Sequence, residues 1–281
     1  MRECLQVVRL PCGGLIVRWV VIAVLATSVL PAGFAQAPPA DSGKPAAFEV
    51  AAIKPVLPDA KASRYITMQG VHRFVVKDYT LKGLIAAAYD LNPQTVLGGP
   101  VWAESDPFDI TAVTPGETRP SRDQQMAMLR GLLSDRFQLR FHREQKQFSI
   151  YELVLAKSGP KLKTSTAPTD EPPKLISMVY PQKIALPARN ATMAEFASLL
   201  QRAILDRPVV DKTGLTARYD FDLEWAPDET QFGGDVPVAP SDAPNAPLFT
   251  ALQEQLGLRI VPTRGPVQAL WIDAAERPSA D

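Results

Sequence analysis

Two runs of alternating character flank Gly70. Arg64-Tyr65-Ile66-Thr67-Met68-Gln69 and His72-Arg73-Phe74-Val75-Val76 place apolar residues at every second position, which predicts a β-hairpin. At Thr80 the period changes. Leu81, Leu84, Ile85 and Ala88 fall on one face of a helix. A short strand at Thr95-Val96-Leu97, a Gly98-Gly99-Pro100 turn and an alternating strand at Phe108–Val113 follow. Ser121 and Gln124 form a capping box, and the helix behind it turns Met128, Leu129, Leu132 and Leu133 inward. Two strands, Phe137–Arg143 and Phe148–Ala156, close this unit.

The second half repeats the order. Strands are predicted at Lys174–Tyr180 and Gln182–Pro187, then a capping box at Thr192 and Glu195. Phe196, Leu199, Leu200, Ala203 and Ile204 follow at helical spacing. Pro208–Asp211 and Tyr219–Trp225 read as strands, and a helix carries Leu248, Leu252 and Leu256 up to a cap at Gly257. Strands at Leu258–Val261 and Val267–Asp273 end the pattern. Thr80-Leu81 echoes Thr192-Met193, and Phe108-Asp109-Ile110 echoes Phe221-Asp222-Leu223. Phe137–Arg140 echoes Leu256–Arg259, and Tyr151–Leu155 echoes Val267–Ile272. The expectation is an α+β protein made of two similar copies of a mixed β-β-α-β-β-α-β-β unit. Its sheets are mainly antiparallel, with helices packed on one side. The first copy spans 48–165 and the second 166–281, with a Pro-rich loop at 226–247.

The N-terminus adds a compartment. Arg2, Arg9 and Arg18 precede an apolar run from Trp19 to Leu30, and small residues follow Pro31. That is the layout of a secretory signal peptide over residues 1–35, with a Pro/Ala-rich tether at 36–47. The apolar run from Leu15 to Leu30 is shorter than the roughly 20 residues a membrane-spanning helix needs. The membrane is therefore met only through an uncleaved signal. Cys4 and Cys12 both lie in this segment, so the exported chain carries no disulfide, thiol nucleophile or thiolate metal site. The 30 basic and 30 acidic residues balance, and no basic stripe of the kind nucleic acid requires is present.

Candidate chemistry is thin. Asp211-Lys212-Thr213-Gly214 echoes the phosphorylated loop of ion-pumping ATPases, but the large nucleotide and membrane domains are missing, so a strand end and turn is the simpler reading. Lys212-Thr213-Gly214 with Ser158-Gly159-Pro160-Lys161 echoes penicillin-recognising enzymes, yet this serine sits in a Gly-Pro loop and not at a helix start. Asp220, Asp222 and Glu224 alternate with Tyr219, Phe221, Leu223 and Trp225, as on the wet face of a half-buried strand, and without calcium-loop spacing. His72 and His142 sit on separate strands, so no cofactor or metal is expected. Aromatics at Trp102, Phe108, Tyr219, Phe221, Trp225 and Trp271 suit a core or a ligand groove. The residues put forward as a ligand or partner surface are Trp102, Asp109, Asp211, Lys212, Thr213, Tyr219 and Trp225.

Phe48–Pro55, Thr80–Ile85, Gly98-Gly99-Pro100 with Trp102, Leu132–Phe137, Gly159–Leu162, Pro208–Leu215 and Thr250–Leu258 together resemble a large family of exported proteins of unknown function, abundant in soil Acidobacteria. Trp271 departs from the usual aliphatic residue there, and the usual Asn near the C-terminus is missing. The resemblance implies export and, since the family has no established activity, little chemistry. Some members carry the domain behind a sensor metallopeptidase of the antibiotic-resistance type, which implies extracytoplasmic sensing or binding. The repeat order is also similar to the small N-terminal domains of secretins and TonB-dependent receptors, which bind protein partners by packing and strand addition.

The expected function is a non-enzymatic periplasmic binding or interaction module, with an envelope protein or peptide as partner. A small-ligand sensor with aromatics lining a pocket between the copies is one alternative. A hydrolase using Asp109, Asp211, Asp220 and Asp222 is another. Export itself is testable by N-terminal sequencing of the envelope-located chain. The expected first residue is Gln36, and a chain still beginning at Met1 would mean that the segment is retained as an anchor.

Overall fold

The computed structural model describes residues 47–56 and 64–279. The predicted signal segment and all of the tether except Ala47 lie outside the described residues. The chain is α+β. β1 (Val50–Pro55), β2 (Tyr65–Gln69), β3 (Arg73–Thr80) and β5 (Pro107–Val113) form an antiparallel sheet in the order β1-β5-β3-β2. A second antiparallel sheet has β7 (Lys163–Thr164), β12 (Tyr219–Trp225), β10 (Ile184–Ala191) and β8 (Lys174–Leu175) in that order. β9 (Met178–Val179) also pairs with β10.

The third sheet joins the others. β6 (Arg140–Leu155) and β13 (Leu258–Ala274) pair antiparallel along nearly their whole lengths. β4 (Val96–Gly98) adds parallel to the end of β13, and β11 (Val209–Asp211) adds parallel to the end of β6. Each long strand was expected as two shorter ones, broken near Glu144–Gln147 and Pro262–Pro266. The breaks do not occur, for a hydrogen-bonding reason. Tyr151 donates its N–H to Pro208 on the β11 side, so its pair with Pro262 is an open pair of the antiparallel ladder. Pro262 therefore turns its missing N–H outward, and Pro266, opposite Gln147, has the same parity. Neither proline costs a ladder bond. Elsewhere, β10 begins later and runs further than the strand expected at Gln182–Pro187.

The helices start where polar caps satisfy their free N–H groups. Thr80 caps α1 (Leu81–Ala88), and complete capping boxes open α3 (Arg122–Arg136) and α4 (Met193–Leu199). α2 (Trp102–Ser105) is a single turn. α4 and α5 (Leu248–Ala251) both continue into π-helical turns, Leu200–Ile204 and Leu252–Leu256. Gly257 ends the last of these at φ +64°, and a Cβ there would collide with the Gly159 carbonyl oxygen. A left-handed residue packed against backbone requires glycine.

Two hydrophobic cores result. One gathers Phe74, Val76, Leu84, Ile110, Leu129 and Phe137, and it also takes Leu270 and Ile272 from the end of β13. The other gathers Leu186, Phe196, Leu200, Leu223, Trp225 and Leu252, and it takes Tyr151 and Leu153 from β6. Neither core is assembled from one side of residue 165 alone. Burying one such side chain stabilises by about 1.5–3 kcal/mol, so each core relies on several kcal/mol from the far half. Fragments cut at 165 are expected to be insoluble when expressed singly and to recover a folded complex when co-expressed. Soluble yield and circular dichroism decide this, and a cooperatively folded 48–165 fragment would refute it.

Candidate functional site

The acidic residues each have partners of their own, Asp109 in the first sheet and Asp220 and Asp222 on one face of β12 in the second. Asp109 on β5 accepts from Lys77 Nζ and, at 3.1 Å, from the N–H of Asp78. Asp220 on β12 accepts from the N–H of Asn190 at 2.9 Å. Asp78 and Asn190 are the left-handed residues of β-bulges, at φ +57° and +53°, in β3 and β10. Both carboxylates thus brace a strained bulge. Both oxygens of Asp222 accept from Arg189 Nη2, at 2.9 and 3.2 Å, and Glu224 pairs with Lys183 at 2.8 Å. Asp211 Oδ1 accepts from the Thr213 N–H at 2.9 Å and the Thr213 hydroxyl at 2.7 Å. Asp211-Lys212-Thr213-Gly214 is a strand end and a turn, with Lys212 exposed and Gly214 at φ +70°.

The aromatic candidates lie apart. Trp102 packs on Phe108 and Phe137 at 6.2 and 6.5 Å, with the Arg277 guanidinium 5.4 Å above its ring. Tyr219 and Trp225 belong to the other core. Trp225 is fully buried, donates Nε1–H to Gln231 at 2.7 Å and stacks parallel to Phe232. His142 meets Asp273 at 2.8 Å beside Trp271, whereas His72 lies at the turn between β2 and β3. Among the described residues no three His, Cys, Asp or Glu side chains are grouped to hold a metal ion.

A group of polar contacts joins the lobes, the two regions built around the two cores. Asn92, 2 % exposed, donates Nδ2–H to the Gln201 and Leu205 carbonyls at 2.8 and 3.3 Å. Gln201 returns a bond to the Asp90 carbonyl at 2.8 Å. The Asp90 carboxylate faces Arg122 at 2.9 Å and Arg202 at 3.3 Å. Burial, then the neighbouring Arg122 charge, lowers the Arg202 guanidinium to about 10, so it stays charged at neutral pH.

One surface departs from this economy of paired groups. From Lys174 to Val179 the chain forms the edge of the second sheet, carrying Ile176 at 66 %, Met178 at 40 % and Val179 at 52 % exposure, with Tyr180 at 44 % just beyond. Beside it lies a shallow cavity of about 350 Å³, walled by Met178, Tyr180, Pro187 and the Lys183–Glu224 pair. None of the residues nominated from the sequence lies on this edge. Leu175–Val179 is uncharged and rich in β-formers, and a scan for such windows would have found it. Asn92 had a weaker signal, the turn-starting Asn92-Pro93 pair.

The bracing role of Asp220 predicts a pH signature. The Asn190 N–H, then the Ser165 hydroxyl, hold its carboxyl below the usual range. A depressed folded pKa contributes stability above the unfolded pKa, about 3.9, and loses it as pH falls through the folded value. Asp220→Ala is expected to be less stable than the parent at neutral pH, with the gap closing below about pH 4. Urea titrations at several pH values test this, and a gap independent of pH would remove the role.

No curated protein and no solved structure matches the chain. A family model described as Protein of unknown function (DUF3738) matches residues 82–275. That span runs from the first turn of α1 to the end of β13 and includes both long strands. The chain belongs to the DUF3738 family of proteins of unknown function.

Proposed function

We propose that this protein is a non-enzymatic binding module of the cell envelope that engages a protein partner by strand addition. One observation carries the reading: the apolar, exposed strand edge at Lys174–Val179. An edge offers unpaired N–H and C=O groups, and natural proteins usually blunt it with charge, proline or a covering element. Here Lys174 and Pro181 stand only at its ends. The carboxylates available for acid–base work favour the same reading, since each is engaged in a brace, a turn or an ion pair. An extended partner would gain main-chain bonds along the edge and could place side chains in the cavity beside it.

The two lobes read as copies of one unit whose last strands are exchanged. Thr80 and Thr192 cap corresponding helices, each two residues after a left-handed bulge residue, Asp78 or Asn190. Gln138 at φ +48° and Gly257 at φ +64° sit in corresponding places after α3 and α5. On this reading Asp109 is matched with Asp220, since each accepts a bulge N–H, whereas the sequence echo set Asp109 against Asp222. A two-residue slip keeps every side chain on its own face, so alternation could not reveal it.

A photo-crosslinking residue at Met178 is expected to give one reproducible adduct in intact cells, and the same residue at exposed Glu117 none. Mass spectrometry identifies the adduct. Equal patterns from both positions would count against binding at this edge.

A further inference from the structure

The occupant of the edge can be specified, on the premise that the edge binds a strand. We infer that it binds a second copy of this chain, edge to edge, about a two-fold axis at Ser177.

Hydrogen-bond parity comes first. Tyr180 donates its N–H to the Lys183 carbonyl at 2.9 Å, so even-numbered residues of the edge turn their backbone groups toward β10. β12 gives the same parity independently. The Glu224 N–H goes to Gln255 Oε1 at 3.0 Å and its carbonyl accepts from Gln255 Nε2 at 2.7 Å. Glu224 therefore does not bond its opposite number Ala185, which faces β9. Pro187 has the parity of Ala185 and lies opposite Ile176. Its missing N–H explains why the ladder is interrupted between β8 and β9 while the register stays constant. By the same parity Leu175, Ser177 and Val179 present their N–H and C=O groups to the open side.

Those residues are spaced evenly about Ser177, and the side chains match when the edge meets itself antiparallel. Ser177 meets its own counterpart. Leu175 meets the counterpart of Val179, and Ile176 that of Met178, so apolar groups face apolar groups. Lys174, the charge at the end of the segment, meets the counterpart of Tyr180 and not another lysine, and an ammonium over a ring is favourable. The pairing is isologous and closes at two. The opposite edge of the same sheet is β7, only 2 residues long and polar, so it offers little for further growth.

Sedimentation velocity of the full exported chain, purified alone over a wide concentration range, tests this. The parent is expected to be a dimer. Ser177→Pro removes an outward N–H and no bond to β10, so a monomer with an unchanged circular dichroism spectrum is expected, melting where the parent melts once diluted to monomer. Met178→Lys sets a charge against the counterpart of Ile176, and it is expected to weaken dimerisation at least about tenfold. It carries the test if the proline variant fails to fold. A monomeric parent, or a dimer indifferent to the substitutions, overturns the inference. A monomer whose Met178 cross-links to another envelope protein leaves the binding reading standing, whereas a monomer with no adduct removes both.

Discussion

The antiparallel pairing of β6 with β13 is the contact on which the rest of this protein depends. It joins Arg140 to Ala274 and Leu155 to Leu258, so segments more than a hundred residues apart must meet before either core is complete. Only then do β4 and β11 gain the strands they lie against. The pairing also sets which side chains go where. Phe141 and Leu153 on β6, like Ile260 and Ile272 on β13, share one face by parity, and the two cores are built against that face. A ladder of such sequence separation pays its loop-closure entropy early, and this topology belongs to the slower end of two-state folding.

Local strain is placed where it is useful to this architecture. The bulges at Asp78 and Asn190 each put a non-glycine residue in the left-handed region just before a helix cap. The bulge bends a sheet strand into its helix, and a carboxylate from the neighbouring strand holds the exposed N–H. Asp109 and Asp220, put forward as acids from the sequence, are seen here as the braces of these two bulges. The junction of the lobes works similarly. Asn92, Gln201 and Asp90 satisfy one another across it, and a seam of directed bonds fixes orientation where apolar packing would allow sliding.

Against that background the Lys174–Val179 edge is the exception. Its backbone groups are fixed by β10 on one side and, among the described residues, pair with no strand on the other, and Ile176, Met178 and Val179 are apolar and exposed. Pro187 weakens its attachment at Ile176 without removing it. A strand held in this way is set in direction and register, which lowers the ordering cost of adding a partner strand.

Much of the local structure was legible in the residues. The capping boxes at Ser121 and Thr192, the helical faces from Leu81 and Phe196, the alternation of Tyr219–Trp225 and the left-handed glycine at 257 all report forces acting within a few residues. So did the α+β class. What the residues could not carry was pairing. Whether Pro262 ends a strand or lies harmlessly within one depends on which way its nitrogen faces, and only the partner strand decides that. Whether Asp109 is a free acid or a brace depends on Lys77 and Asp78, which lie far back in the chain. Whether Leu175–Val179 is core or edge depends on the strand count beside it. Short-range periodicity is written in the sequence. Hydrogen-bond direction, register and which core each end of β6 and β13 joins are decided by contacts across the fold.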